Sequence, residues 1–330
     1  QWVIENVSVD VIAQKWQEEL LTTEKMVRFQ PTIKPWKDKP HVVQVSTRIH
    51  NCGIGAYTRA LMAAMEISTT QECVDIMNLR KVEQIPECDL VHLHYESAIS
   101  PPDAVLREIL SALQMRGTPV LATYHSVIPE VANYHMTNNL VSMAVIHWPP
   151  PGLQTEDRRV WILGGMGCPS YNLPQIEKKE EIRENYGFSM KDIIISTFGF
   201  AAMGRGHFEV LEQLAPLLQT NKQVHIQLIV PANFLNEDGK NIVHSRIEEL
   251  VKAYHIGQQV HLVPEFVSDL EVLNRLWMSD VGFLFIGFHT GSSSAAIRFF
   301  ISAHLPLVVN SSTHFADVRR GIVQVEGFNV

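Results

Sequence analysis

Absences narrow this sequence first. No apolar run approaches the roughly 18–20 residues that a membrane-spanning helix needs, and the best, 281–288, is about half that. The 4 cysteines, Cys52, Cys73, Cys88 and Cys168, form no C-x-x-C pair and are too sparse for a disulfide scaffold, which fits a reducing cytoplasm. No secretory h-region opens the chain, so a cytoplasmic protein is expected. Positive charge is short: 27 Lys+Arg against 35 Asp+Glu leave a net charge of -8, the wrong sign for sequence-blind binding to nucleic acid. Charged residues are only 19% and hydrophobic ones 46%, which excludes a disordered chain. At 330 residues the chain is too long for one compact core and suggests about two domains.

What is present is a rhythm of strand, loop and helix from about residue 40 onward. His41-Val42-Val43-Gln44-Val45 is an apolar, β-branched run, the mark of a strand buried on both faces. The pattern predicts a helix over 57–65, a strand over 89–94, a helix over 103–115 with Gly117 just past its end, and a strand over 118–123. Weaker strand signals lie at 141–147 and 160–163. The rhythm lapses around Pro149-Pro150-Pro151 and over 172–191, where Glu177-Lys178-Lys179-Glu180-Glu181 reads as an exposed helix on a connector. It restarts with strands over 192–198, 224–230, 260–263, 281–285 and 305–309, separated by helices over 207–218, 241–254, 269–278 and 293–302. Such alternation implies parallel sheets covered on both faces. The expected fold class is α/β, with two Rossmann-like doubly wound domains facing across a cleft: 41–172 and 173–330. The first 40 residues stand apart, with Val9, Ile12, Trp16, Leu20 and Leu21 at helical spacing. They read as an amphipathic helix on a docked arm or, alternatively, as a peripheral membrane contact, although their balanced charges give anionic lipid little to attract.

Chemistry concentrates at strand ends. Gly53-Ile54-Gly55-Ala56-Tyr57-Thr58 follows a buried strand and opens a helix, where glycines admit a ligand to the backbone and free amides face an anion. It is not a dinucleotide fingerprint, since Thr58 takes the third glycine position. Gly291-Ser292-Ser293-Ser294 combine flexibility, hydroxyl donors and a helix N-terminus, and read equally as an anion site or a plain N-cap. Arg205, at a helix start against the dipole, suits a ligand role. His125 follows a buried strand at its carboxyl end, where a polar cleft residue is expected. His92 and His94 point the same way from one strand without a third ligand, so they read as core or cleft-lining residues.

The glycine run resembles the first glycine loop of retaining, nucleotide-sugar glycosyltransferases of the GT-B type, family 4. Further segments are similar in order: 89–95, then Pro119-Val120-Leu121-Ala122-Thr123-Tyr124-His125-Ser126, Arg159 to Met166, Phe198-Gly199 with Arg205-Gly206, and 263–285. The resemblance spans about residues 41–320. It implies an acceptor domain followed by a nucleotide-sugar donor domain, with His125 facing the transferred sugar and Arg205 gripping the donor diphosphate. Gly53, Gly55, Gly199, Gly206, His289, Gly291, Ser292, Ser293, Ser294 and Arg298 would join the donor site. Two departures stand out. Phe200 occupies the place of a second basic residue, and the two donor-helix glutamates fall near Gly291 or Ser292 and near Phe299 or Phe300, none of them acidic. Ser292 would stand in for the first.

These readings lead to a metal-independent hexosyltransferase, since no Asp-x-Asp occurs in the chain and no cofactor is implied. Its partners would be a nucleotide-sugar donor and a saccharide, glycolipid or protein acceptor, as in polysaccharide assembly, with no nucleic acid. The rivals are a nucleotide-sugar 2-epimerase on the same fold and a catalytically silent glycosyltransferase-like binding module.

Overall fold

The computed structural model describes residues 39–49, 52–163, 179–232, 242–287, 293–318 and 322–326. The expected amphipathic helix of the first 40 residues lies outside them. The chain divides into two compact units that part within 164–178, the stretch that also holds the expected boundary at 172/173.

The first unit is a six-stranded sheet: β1 (His41–Ser46), β2 (Thr70–Asp75), β3 (Leu90–Tyr95), β4 (Val120–Tyr124), β5 (Met143–Ile146) and β6 (Val160–Ile162). Every pairing is parallel and the order is β2-β1-β3-β4-β5-β6. All six residues of β3 are buried, as a central parallel strand requires. Val42, Leu90, Leu121 and Val145, one from each of four adjacent strands, form a continuous apolar patch. Three helices connect the strands: α1 (Gly53–Met65), α2 (Asp103–Arg116) and α3 (Pro129–Thr137). Gly117 caps α2 in the left-handed conformation at φ 70°, while Asp103 and Arg116 lie in the first and last turns as the helix dipole favours.

The second unit opens with α4 (Lys179–Asn185) and contains β7 (Ile193–Phe198), α5 (His207–Thr220), β8 (Val224–Ile229), α6 (Ile242–Tyr254), β9 (Val260–Val263), α7 (Asp269–Trp277), β10 (Val281–Leu284), α8 (Ala295–Ser302), β11 (Leu307–Asn310) and β12 (Ile322–Val325). Its parallel sheet runs β12-β11-β10-β7-β8-β9, the doubly wound nucleotide-binding order with the reversal between β7 and β10. Alternate residues of the sheet feed two cores: Phe283 and Phe285 join α5 and α6, whereas Leu284 and Ile286 join α7 and α8.

Several expectations change. Helix α1 begins at Gly53 rather than at residue 57, so both glycines sit in its first turn. Strands β2 and β12, and helix α3, are additional to the sequence reading. Helix α4 is not simply an exposed connector. Its Arg183 is 2% exposed, donating from Nε to the Met278 carbonyl at 2.9 Å and from Nη2 to both Asp280 oxygens at 2.7 Å, which fastens the helix to its own domain. Among the described residues no helix is long and apolar enough to cross a membrane.

Candidate functional site

In the first unit the strand order reverses between β1 and β3, the place where a doubly wound sheet opens toward a ligand. Helix α1 starts beside it. A Cβ on Gly55 would lie 2.6 Å from the Ile49 carbonyl and 3.3 Å from that of Thr47, so the strand exit and the helix can approach only over a glycine. Gly53 faces open space and carries no such packing demand. Thr58 ties the two together: its hydroxyl donates to the Ile54 carbonyl at 2.9 Å and meets Ser46 Oγ at 2.7 Å. The helix has no acidic residue in its first turn, and the thiol of its N-cap, Cys52, lies toward the Ile54 and Gly55 amides.

Around this point the sheet gathers neutral polar rings. His125, just past β4, bonds Nε2 to His94 Nδ1 at 3.1 Å, and His94 Nε2 meets Gln44 Oε1 of β1 at 2.9 Å. His92 Nε2 bonds Thr123 Oγ1 at 2.8 Å. The Tyr57 ring of α1 stands edge-on to His94, His125 and His147, with centroids 5.9, 5.1 and 5.7 Å away. Burial, reinforced by neighbouring histidines, holds His94 and His125 well below the usual imidazole range and lowers His92 to about 3, so all three are neutral at pH 7. His92 and His94 are buried core residues of β3, and no cluster of three or more metal-ligating side chains occurs among the described residues. Glu96, past the end of β3, accepts a 2.5 Å hydrogen bond from Ser126 Oγ, adding a carboxylate next to His125 that the sequence reading missed. Gln44 and Tyr57 were missed as well. A glutamine inside the run His41-Val42-Val43-Gln44-Val45 was the available signal, because a buried amide must find partners.

The second unit builds a different mouth. The loop between β7 and α5 carries Gly199 at φ 148° and Gly206 at φ 73°, values that side-chain-bearing residues rarely adopt. His207 closes that loop: Nε2 donates to the Phe200 carbonyl at 3.1 Å, which leaves Nδ1 to accept from Thr197 Oγ1, also at 3.1 Å. Burial lowers His207 to about 3, against the Phe200 carbonyl bond and with help from the Arg205 charge nearby. Gly287, past β10, donates its amide to the Gly204 carbonyl at 2.7 Å, so the loop is stitched across the β7/β10 reversal. Arg205, half-buried, is thereby held on a fixed turn at the start of α5. Phe200, where a second cation was looked for, stacks on the 41% exposed Phe266, with centroids 6.2 Å apart.

Of the remaining expected site residues, His289, Gly291 and Ser292 lie outside the described residues. Ser293 is buried. Ser294 is the N-cap of α8, accepting from the Ile297 amide, which is the capping alternative for that one serine. Arg298 points away from a donor role: its guanidinium pairs with Asp317, the two side chains being 5% and 1% exposed, and its charge is neutralised inside the domain.

No family model matches the chain, and no curated protein matches it in sequence. Solved structures do match over most of its length. A glycosyltransferase from Rickettsia africae has 13% identity and a TM-score of 0.61, over 88% of this chain and 85% of that one. Anabaena HepE in complex with UDP and glucose has 12% identity and a TM-score of 0.60, over 87% and 86%. An α,α-trehalose-phosphate synthase (UDP-forming) from Burkholderia xenovorans, in complex with glucose-6-phosphate, has 9% identity and a TM-score of 0.57, over 86% and 88%. The fold is that of the GT-B glycosyltransferases. Within a GT-B fold the first unit corresponds in order to the amino-terminal domain and the second to the carboxyl-terminal one, each with a reversal of strand order at which ligands collect.

Proposed function

We propose that the protein is a glycosyltransferase that moves a hexose-like sugar from a nucleotide-diphosphate donor to a saccharide, lipid-linked or protein acceptor, without a metal and with retention at the anomeric carbon. One observation carries the reading: a half-buried arginine, Arg205, stands on a turn fixed by His207 and by the Gly287–Gly204 bond at the strand reversal of the second domain. Solved neighbours of this fold include Anabaena HepE in complex with UDP-glucose.

The chemistry follows from where charge develops. The bond from the sugar's anomeric carbon to the diphosphate breaks, its electron pair stays on the phosphate oxygen, and Arg205 neutralises that oxygen at the start of α5. Fixed donors of this kind contribute about 2–4 kcal/mol each in a dry site. With retention, the acceptor hydroxyl attacks from the face the diphosphate leaves, and its proton passes to the departing phosphate oxygen. His125 is too weak a base to take that proton, since burial holds its pKa far below neutral. Its task is to bind and orient a sugar hydroxyl, with Glu96 and Ser126 beside it. His289, Gly291, Ser292 and Ser293 complete the donor site by resemblance.

The test is UDP-glucose hydrolysis or transfer by Arg205→Ala, which should fall about 10²–10³-fold with the melting temperature unchanged. Unchanged turnover removes Arg205 from the mechanism. The pairing of Arg298 with Asp317 and the aromatic Phe200 favour a second reading, a catalytically silent binding module. Titration calorimetry with UDP and GDP separates the two, because a silent module with a closed pocket gives heat with neither.

A further inference from the structure

One carboxylate stands among the neutral groups at the strand ends of the first unit. Glu96 directly follows β3, and its backbone is fixed in a tight turn: its amide donates to Ser100 Oγ at 3.1 Å, and its carbonyl accepts from the Ile99 and Ser100 amides. The side chain is held as well, and through one oxygen only. Ser126 Oγ, past β4, donates to Oε1 at 2.5 Å, Ser97 Oγ donates to Oε1 at 3.3 Å, and the Ala98 amide reaches Oε1 at 3.5 Å. No hydrogen bond among the described residues falls on Oε2, and the residue is half-buried rather than sealed from solvent. An ionised carboxylate accepts at both oxygens, so this one is oriented by its Oε1 and keeps its Oε2 for a donor from outside.

Its charge is felt across the strand reversal. Burial raises the thiol of Cys52, the N-cap of α1, and the Glu96 charge adds to that rise, while the exposed Arg59 opposes it more weakly. The buried imidazoles bring no positive charge, since His92, His94 and His125 are neutral at pH 7. We propose that Glu96 is a specificity-determining residue: its Oε2 accepts hydrogen bonds from the hydroxyls of a neutral acceptor sugar, and its charge turns away sugars that carry phosphate or carboxylate. That the sugar is an acceptor rests on the glycosyltransferase reading, but the preference for neutral over anionic sugars does not. A carboxylate takes protons from hydroxyls and has none to give, so an anion brought to Oε2 meets a like charge without a shared proton.

The experiment is saturation-transfer NMR on the full-length protein, titrated separately with D-glucose and with glucose 6-phosphate. Every form carries Arg205→Ala, so that the cation of the second domain cannot answer for the phosphate. With Glu96 in place, glucose should bind about ten-fold more tightly than glucose 6-phosphate. In Glu96→Gln the amide oxygen still accepts from Ser126 and Ser97, which keeps the fold. Glucose should then weaken roughly five-fold, the difference between a charged and a neutral hydrogen bond, while glucose 6-phosphate tightens about ten-fold. A distorted site weakens both ligands, so only loss of the charge gives this crossed response. Ser126→Ala, which removes one anchor and keeps the charge, should weaken glucose without admitting glucose 6-phosphate. The proposal is overturned by a protein with Glu96 that binds neither sugar or binds glucose 6-phosphate as tightly as glucose. It is equally overturned by a Glu96→Gln variant that leaves both affinities unchanged or moves them in the same direction. UDP titration of the wild type separates the two readings: a chain that binds glucose but no UDP keeps this proposal and loses the transferase, and one that binds UDP but no glucose does the reverse.

Discussion

The two domains share one architecture and solve the same problem with opposite chemistry. At its strand ends the first domain sets rings and amides that are neutral at pH 7, with His92, His94 and His125 deprotonated by burial. The second domain sets a guanidinium on a stitched turn and buries two more, Arg183 against Asp280 and Arg298 against Asp317. Neutral acceptors and donors suit hydroxyl-rich groups, and a fixed cation suits a phosphate. Charge placement tells the two halves of this molecule apart as surely as their strand orders, which place one strand beyond the first in one sheet and two in the other.

Acid should separate them most strongly. Each buried histidine has a folded pKa below its unfolded value of about 6.5, so the unfolded chain binds protons first and stability falls as pH drops from 6.5 toward the folded pKa. The first domain carries His92 (about 3), His94 and His125 (both well below 6.5) and His135 (about 4), whereas the second carries His207 (about 3), His261 (about 4) and the less shifted His225. Moving from pH 7 to pH 5 should cost on the order of 2 kcal/mol per fully buried neutral histidine. Hydrogen exchange at the two pH values should therefore show protection lost first in 41–163, and equal loss in both domains would erase the contrast. The ion pair gives the next effect. Arg298→Met removes the guanidinium from beside the buried Asp317 and should destabilise the second domain by about 3–5 kcal/mol, while the double variant with Asp317→Leu recovers most of it, as read by denaturant unfolding. The smallest effects sharpen the glycine comparison. Gly55→Ala forces a Cβ against the Ile49 carbonyl and should cost about 1–3 kcal/mol in thermal melts. Gly53→Ala, in open space within α1, should be neutral or stabilise by up to about 1 kcal/mol.

Central strands were legible because burial on both faces leaves a run of β-branched residues, as in Val42-Val43 or Ile194-Ile195. The edges were not. Strand β2 reads Thr-Gln-Glu-Cys-Val-Asp, half-exposed and polar, and hydrogen bonds to β1 rather than its own composition make it a strand. The glycines of α1 hid its start, since Gly53 and Gly55 signal a loop when only one neighbour is considered, and the Ile49 carbonyl that demands Gly55 is visible only in three dimensions. Arg183 sits in a charged run that looks fully solvated, and its partners, Met278 and Asp280, are distant in sequence. The same distance concealed the site's supporting cast. His125 and Arg205 follow buried strands and could be picked from their positions, but the partnership of His94 with Gln44, or of His207 with Thr197 and the Phe200 carbonyl, depends on which strands lie side by side.

The stitched turn between β7 and α5 also marks out where this scaffold can be redesigned. Thr197, His207 and the Phe200 carbonyl act as a fixed frame, and replacing Thr197 or His207 would loosen what the frame holds. Met203, 56% exposed at the tip of the same turn, has no such duty. A library that varies only the tip would change the surroundings of the Arg205 guanidinium while the base of the turn keeps its shape.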